Sequence, residues 1–136
     1  MLEKLILKIR PASRYLLAGW IITIFLVSSV PSIPTLKIHA AKTEIRLDYL
    51  IHFFEYGVLA FMGFLSFAGN EFKMSYRKFI LITLCLITFA ILDELHQKLI
   101  PGRSFNIKDI ISNISGILTA LAFCVVVFRK IAGKYR

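Results

Sequence analysis

Asp93-Glu94-Leu95-His96-Gln97-Lys98-Leu99-Ile100-Pro101-Gly102-Arg103-Ser104-Phe105-Asn106-Ile107-Lys108-Asp109, followed by Asn113 and Gly116, is a polar stretch in a chain that is almost uniformly apolar on both sides of it. Two acids, a His, a Gln and an Arg at the edge of such a chain are costly to desolvate unless partners hold them. The apolar segments are therefore read as a membrane scaffold that presents this stretch together with a second polar cluster, Asp48 to Tyr56.

Composition agrees with a scaffold of that kind. The 136 residues are 57% hydrophobic and only 18% charged, with a mean hydropathy of +0.73. Soluble domains sit nearer half apolar and a quarter charged. The net charge of +9 would suggest a nucleic-acid partner in a soluble protein. Here the basic residues fall between apolar runs and form no stripe, so they read as topology signals and no nucleic-acid partner is expected. Cys85 and Cys124 each lie inside an apolar run, with no CxxC pair and no disulfide framework, and are read as packing or lipid-facing residues.

Taken in order, the chain predicts an all-α integral membrane four-helix bundle, a single domain over residues 1–136, with helices at about 15–30, 48–69, 79–100 and 107–128. Residues 1–14 form a basic lead-in. The first run has the basic front and short apolar core of a signal peptide, but its exit at Ser28-Ser29-Val30-Pro31 is a poor cleavage site, so a retained first span is expected. Pro31 and Pro34 end it. Residues 31–47 are a polar connection, residues 70–78 a short basic loop, and Pro101-Gly102 a turn. Trp20, well inside the first run, is read as packing.

Four crossings put both termini on one side. The lead-in, the 70–78 loop and the tail carry eleven Lys and Arg, and the other side carries six. The bias places both termini in the cytoplasm. The acids run the other way: Glu44, Asp48, Glu55, Asp93, Glu94 and Asp109 all fall at the outer ends. Acids contribute little to topology, so their clustering needs another cause. Asp48, His52 and Tyr56 are spaced i, i+4, i+8, with Glu55 at i+7, and share one helix face. Asp93 and Gln97 are at i, i+4, and Glu94 and Gln97 at i, i+3. Asp109, Asn113 and Gly116, followed by Ala120, make a face of small and polar residues suited to close helix approach; Gly57 and Gly63 suit the same use. Ionisable groups on inward-looking faces at the same end predict a shared polar site.

Two motifs in these segments resemble the VanZ-like family of small bacterial membrane proteins. One is Asp48-x-x-x-His52-Phe53-x-x-Tyr56. The other is Asp93-Glu94-x-x-Gln97-x-x-x-Pro101-Gly102-Arg103-Ser104, continuing to Asp109-x-x-x-Asn113-x-x-Gly116. Together they span most of the last three predicted helices. The family commonly has Lys after the first Asp, where this chain has Tyr49, and Gly where it has Ala120. The family takes its name from a protein associated with resistance to the glycopeptide antibiotic teicoplanin. The resemblance implies an integral protein of the bacterial cell envelope, in the cytoplasmic membrane, and implies no particular reaction.

Asp48, His52, Tyr56, Asp93, Glu94, Gln97, Arg103, Asp109 and Asn113 are the candidate site residues, with Gly116 and Ala120 as helix-packing positions. Three readings of the site compete. In the first it is a structural polar network, with Arg103 paired to Asp93 or Glu94, Asp109 near the start of the last helix and Asn113 cross-linking helices. In the second it binds an anionic envelope lipid, a lipid-linked cell-wall precursor or a glycopeptide, through the Arg103 guanidinium and the helix start at Ile107-Lys108. In the third it is an enzyme that uses a divalent metal held among Asp48, His52, Glu55, Asp93, Glu94, His96 and Asp109, or His52 as a general base oriented by Asp48. No HExxH, GxSxG or phosphate-binding glycine loop supports the enzyme reading, so no catalytic residue, metal or cofactor is assigned. An ion path is disfavoured, since little beyond Thr83 and Thr88 is polar deep in the helices.

Overall fold

The computed structural model describes residues 1–32, 37–40 and 43–134. Pro34 and Lys42 of the first connection and Arg136 of the tail lie outside the described residues. The elements run α1 (Leu2–Ile9), a 3-10 turn (Arg10–Ala12), α2 (Ser13–Ser28), β1 (Lys37–Ala40), β2 (Thr43–Arg46), α3 (Leu47–Phe67), a turn (Asn70–Phe72), α4 (Tyr76–Gln97) and α5 (Ile107–Lys134). Among the described residues four helical segments are long and apolar enough to cross a membrane: Glu3–Ser28, α3, α4 and α5. The fold is an all-α bundle of membrane-spanning helices, and the chain is a multi-pass membrane protein.

The spans are apolar on every side, as helices set in lipid are. Residues such as Ile22, Leu81, Leu84, Leu92, Ile111, Leu118 and Val126 face outward. The inward set is smaller: Ile24 of α2, Tyr56, Leu59, Ala60 and Phe64 of α3, Ala90 of α4, and Ile117, Ala120, Cys124 and Phe128 of α5. Cys124 fills core space and Cys85 is exposed on α4. The most extensive contact joins α3 to α5, with α2 packed on α3 and α4 packed on α5.

Small residues make the α3–α5 contact. A Cβ on Gly116 would stand 2.1 Å from the Phe53 carbonyl oxygen and 3.0 Å from the Gly57 nitrogen. No side chain fits there, so the two backbones touch. Gly57, opposite, has more room, its nearest neighbour being the Gly116 oxygen at 3.6 Å. Gly63 faces Ile82 and Leu86 of α4 instead.

Three local features differ from the sequence expectation. The basic lead-in is a helix, α1, whose Ile6 is buried while Leu5 and Leu7 are exposed, and whose Glu3 pairs with Lys134 of α5. Pro11 sits in the turn that joins it to α2, where a missing N–H is tolerated. The polar connection contains an antiparallel pair of strands, with Lys37 opposite Arg46 and Ala40 opposite Thr43; Ile38, Thr43 and Ile45 are β-branched residues in a period-two pattern. The basic loop holds two successive left-handed residues, Glu71 (φ 59) and Phe72 (φ 58), each costing about 1–2 kcal/mol for a side chain other than Gly. The turn drives Phe72 inward, where it is 2% exposed and lies 4.9 Å beneath the Arg10 guanidinium. Arg10 also donates to the carbonyls of Ala68 (3.2 Å) and Gly69 (2.8 Å), just past the end of α3, the second of which also accepts the Phe72 N–H.

Gly116→Ala is expected to push α3 and α5 apart and to destabilise the protein by about 2 kcal/mol or more. Gly57→Ala should stay within about 0.5 kcal/mol of the parent. Thermal unfolding of the detergent-solubilised variants checks both.

Candidate functional site

The start of α3, the end of α4 and the start of α5 meet at one end of the bundle, and all the candidate residues lie there. α4 and α5 are joined by a tight turn. Pro101 and Gly102 occupy its centre, Gly102 has φ 76, and the Arg103 N–H donates to the Ile100 carbonyl at 3.1 Å. Proline followed by a left-handed glycine is what a type II turn requires. A side chain at Gly102 is also excluded by Ser32, whose Oγ would lie 2.2 Å from its Cβ. The Ser32 N–H donates to the Pro101 carbonyl at 3.3 Å, so the turn is held against the segment that leaves α2.

That placement decides what Arg103 does. The expected pairing with Asp93 or Glu94 is replaced by bonds to backbone: Nη2 donates to the Val27 carbonyl at 2.9 Å and Nε to the Val30 carbonyl at 3.3 Å. Arg103 thus clasps the end of α2, adding a second donor to the Val27 carbonyl, which also accepts the Val30 N–H at 3.1 Å, and serving the Val30 carbonyl. Its charge still lies within electrostatic range of Glu55 and Glu94.

The remaining residues form two linked groups. In the first, Asp93 Oδ2 accepts from the Tyr56 hydroxyl at 3.0 Å and from Gln97 Nε2 at 3.1 Å. Tyr56 is fully buried, and Asp93 and Gln97 nearly so. This is the i, i+4 pair of α4 closed by a residue of α3. In the second, His52 lies between two carboxylates, with Nε2 3.8 Å from Asp109 Oδ2 and Nδ1 3.9 Å from Glu55 Oε2. His52 therefore links α3 to α5. Asp48 stands in the first turn of α3, where the helix dipole favours an acid.

Glu94 and Asn113 lie deepest, both with 0% exposure. Glu94 Oε1 accepts the Asn106 backbone N–H at 2.7 Å. The Asn106 side chain in turn accepts the Lys108 N–H at 3.1 Å, as an N-cap does, so Glu94 anchors the start of α5 from the end of α4. The other Glu94 oxygen has no hydrogen-bond partner among the described residues, and neither do the two amide atoms of Asn113 or His52 Nδ1. Buried polar atoms are satisfied in the great majority of cases, so an unmet Glu94 oxygen and an unmet Asn113 amide mark capacity for another group. Among the described residues Asn113 does not make the helix cross-link expected of it.

His96 is turned away from the cluster. Its ring stacks on Phe25 with centroids 5.0 Å apart, and Nε2 lies 3.0 Å from Ser29 Oγ. Trp20 packs as expected and also donates from Nε1 to the Glu55 carbonyl at 3.0 Å. Among the described residues no three His, Cys, Asp or Glu side chains converge as a metal centre requires. Sequence reasoning missed Asn106; its signal was an Asn directly before an apolar helical run. It also missed Ser29, whose pairing across 67 positions left no local signal.

Tyr56→Phe removes one of two donors to a buried carboxylate and is expected to cost about 1–3 kcal/mol. Asn113→Leu removes no hydrogen bond among the described residues, so stability should stay within about 1.5 kcal/mol of the parent, as for a swap of similar volume. Chemical or thermal unfolding in detergent distinguishes the two.

A model of the VanZ/LLP1 family matches residues 14–129. No curated protein and no solved structure matches the chain. The family match runs from the start of α2 into the last turns of α5 and takes in every residue of the polar cluster, and the chain belongs to the VanZ/LLP1 family.

Proposed function

We propose that this VanZ/LLP1-family protein is a single domain of the bacterial cytoplasmic membrane, with both termini in the cytoplasm, and that its polar cluster receives a ligand from the cell envelope at the outer face. The excess of Lys and Arg, eleven against six, supports the orientation. The observation that carries the ligand is the pair of fully buried side chains with open hydrogen-bonding capacity, Glu94 and Asn113. Arg103 is committed to the end of α2, so the ionisable groups left around the cluster are mostly acidic: Glu55, Asp93, Glu94 and Asp109. Such a site favours a hydrogen-bond donor or an amine. A glycopeptide antibiotic or an amine-bearing, lipid-linked cell-wall precursor supplies one, in keeping with the resistance role that gives the family its name. A phosphate or carboxylate ligand would first have to draw Arg103 away from Val27 and Val30.

A second reading has its own observation. The Tyr56–Asp93–Gln97 bonds tie α3 to α4 through a buried carboxylate held by two donors, as a purely structural network would. An enzymatic reading is left with acid–base chemistry at His52, between Glu55 and Asp109.

Growth of a teicoplanin-sensitive bacterium expressing the protein separates these readings. Wild type should raise the teicoplanin concentration needed to stop growth, and Asn113→Leu and Glu94→Gln, at equal membrane abundance, should abolish the gain. Resistance that persists in both variants rejects the ligand reading of the cluster. No gain with wild type rejects the glycopeptide. Loss that follows falling membrane abundance, variant by variant, favours the structural network.

A further inference from the structure

The end of the bundle opposite the polar cluster has a cleft of about 660 Å³ between the start of α4 and the end of α5. Its walls change character along their length. Phe79, Ile80, Thr83 and Leu84 of α4 face Leu121, Val125 and Phe128 of α5, and the Thr83 hydroxyl is already spent on the Phe79 carbonyl at 2.8 Å. This part offers only apolar surface. Its back is aromatic, with the Phe128 ring 5.3 Å from Phe72 and 6.4 Å from Phe79. The mouth is basic and polar: Lys73, Ser75 and Tyr76 on one lip and Arg129 on the other.

The mouth is built by features already described. The left-handed turn at Glu71-Phe72 turns Phe72 into the wall and leaves Lys73 at the lip. Ser75 caps α4 by accepting the Lys78 N–H, so the positive end of the helix dipole opens onto the same mouth. Lys73 is paired with Glu71. Arg129 has no hydrogen-bond or ion-pair partner among the described residues. A solvated arginine needs no partner, but one set over a deep apolar cleft in a membrane-spanning protein matches an amphiphile with an anionic head.

We propose that this cleft binds one anionic glycerophospholipid, its phosphate at Arg129 and the start of α4 and an acyl chain along the α4–α5 wall. A guanidinium receives phosphate oxygens through two parallel N–H groups, and basic pockets between membrane helices recognise anionic head groups. A neutral lipid would fill the apolar wall but leave Arg129 unmatched. The two sites lie at opposite ends of the bundle, so this inference does not depend on the reading of the polar cluster.

The test is native mass spectrometry of the full-length protein ejected from nanodiscs of mixed phosphatidylglycerol and phosphatidylcholine. Wild type should retain one phosphatidylglycerol, with a preference over phosphatidylcholine of about fivefold or more. Arg129→Ala, an exposed position, should abolish the preference. Leu84→Trp, which fills the apolar wall from its lipid-facing side, should abolish retention with every charge kept. Equal retention of both lipids by wild type overturns the proposal, as does an unchanged preference in Arg129→Ala. Retention unaffected by Leu84→Trp means that the cleft is not the site. Displacement of the lipid by millimolar inorganic phosphate would make the mouth a free-phosphate site and overturn the lipid assignment.

Discussion

The backbone contact at Gly116 governs the rest of the bundle. With no side chain at that position, α5 approaches until its Cα lies against the Phe53 carbonyl and the Gly57 nitrogen. This fixes the separation of two helices that are not consecutive in the chain. Asp109 and Asn113 stand two turns and one turn before Gly116 on α5, and His52 and Tyr56 flank Phe53 on α3. The 3.8 Å separation of His52 and Asp109 therefore follows from a glycine seven positions away. Membrane helices gain little from apolar burial against one another, so close backbone packing is the main force that holds such a crossing.

Held at that distance, the polar cluster is asymmetric. Asp93 is served by two donors, Glu94 by one backbone N–H, and the Asn113 amide by none among the described residues. A hydrogen bond contributes modestly to stability when made, but an unmet buried group costs its full desolvation. Stability alone would favour an apolar residue at Asn113. The two arginine clasps lie elsewhere: half-buried Arg103 and Arg10 each donate to carbonyls at the end of a neighbouring helix, at opposite ends of the bundle. Carbonyls at a helix end compete with carboxylates for a guanidinium, and Arg103 takes the carbonyls of Val27 and Val30.

Much of this was legible in the residues. Long apolar runs identified the spans, because a segment without polar side chains has few other places to go. Helical spacing put Asp48, His52, Glu55 and Tyr56 on one face, and Pro101-Gly102 announced the turn that the glycine's positive φ requires. The partners were less legible. Opposite charge suggested Arg103 with Asp93 or Glu94, but the arginine's direction is set by the type II turn and by the contact of Gly102 with Ser32, which joins residues seventy positions apart. The helical lead-in escaped notice because its charges suggested solvent, whereas Ile6 and the Glu3–Lys134 pair bind it to the bundle. The hairpin was visible as period-two alternation around Thr43 and Ile45, but its polar composition read as a connection.

The two arginine clasps also impose an order on biogenesis. Arg10 precedes its carbonyls at Ala68 and Gly69, so the clasp on α3 can close as soon as that helix has left the ribosome. Arg103 follows its carbonyls at Val27 and Val30 by more than seventy residues. During synthesis α2 enters the bilayer before its clasp exists, and the Val30 carbonyl lacks Arg103 until α4 is made and the Pro101-Gly102 turn has formed. The nascent chain must keep that end at the lipid–water boundary, where water can serve the exposed carbonyls. Release from the insertion machinery with only two spans made would strand an unfinished helix terminus. The end of the first span is therefore clasped only by the turn that follows the third.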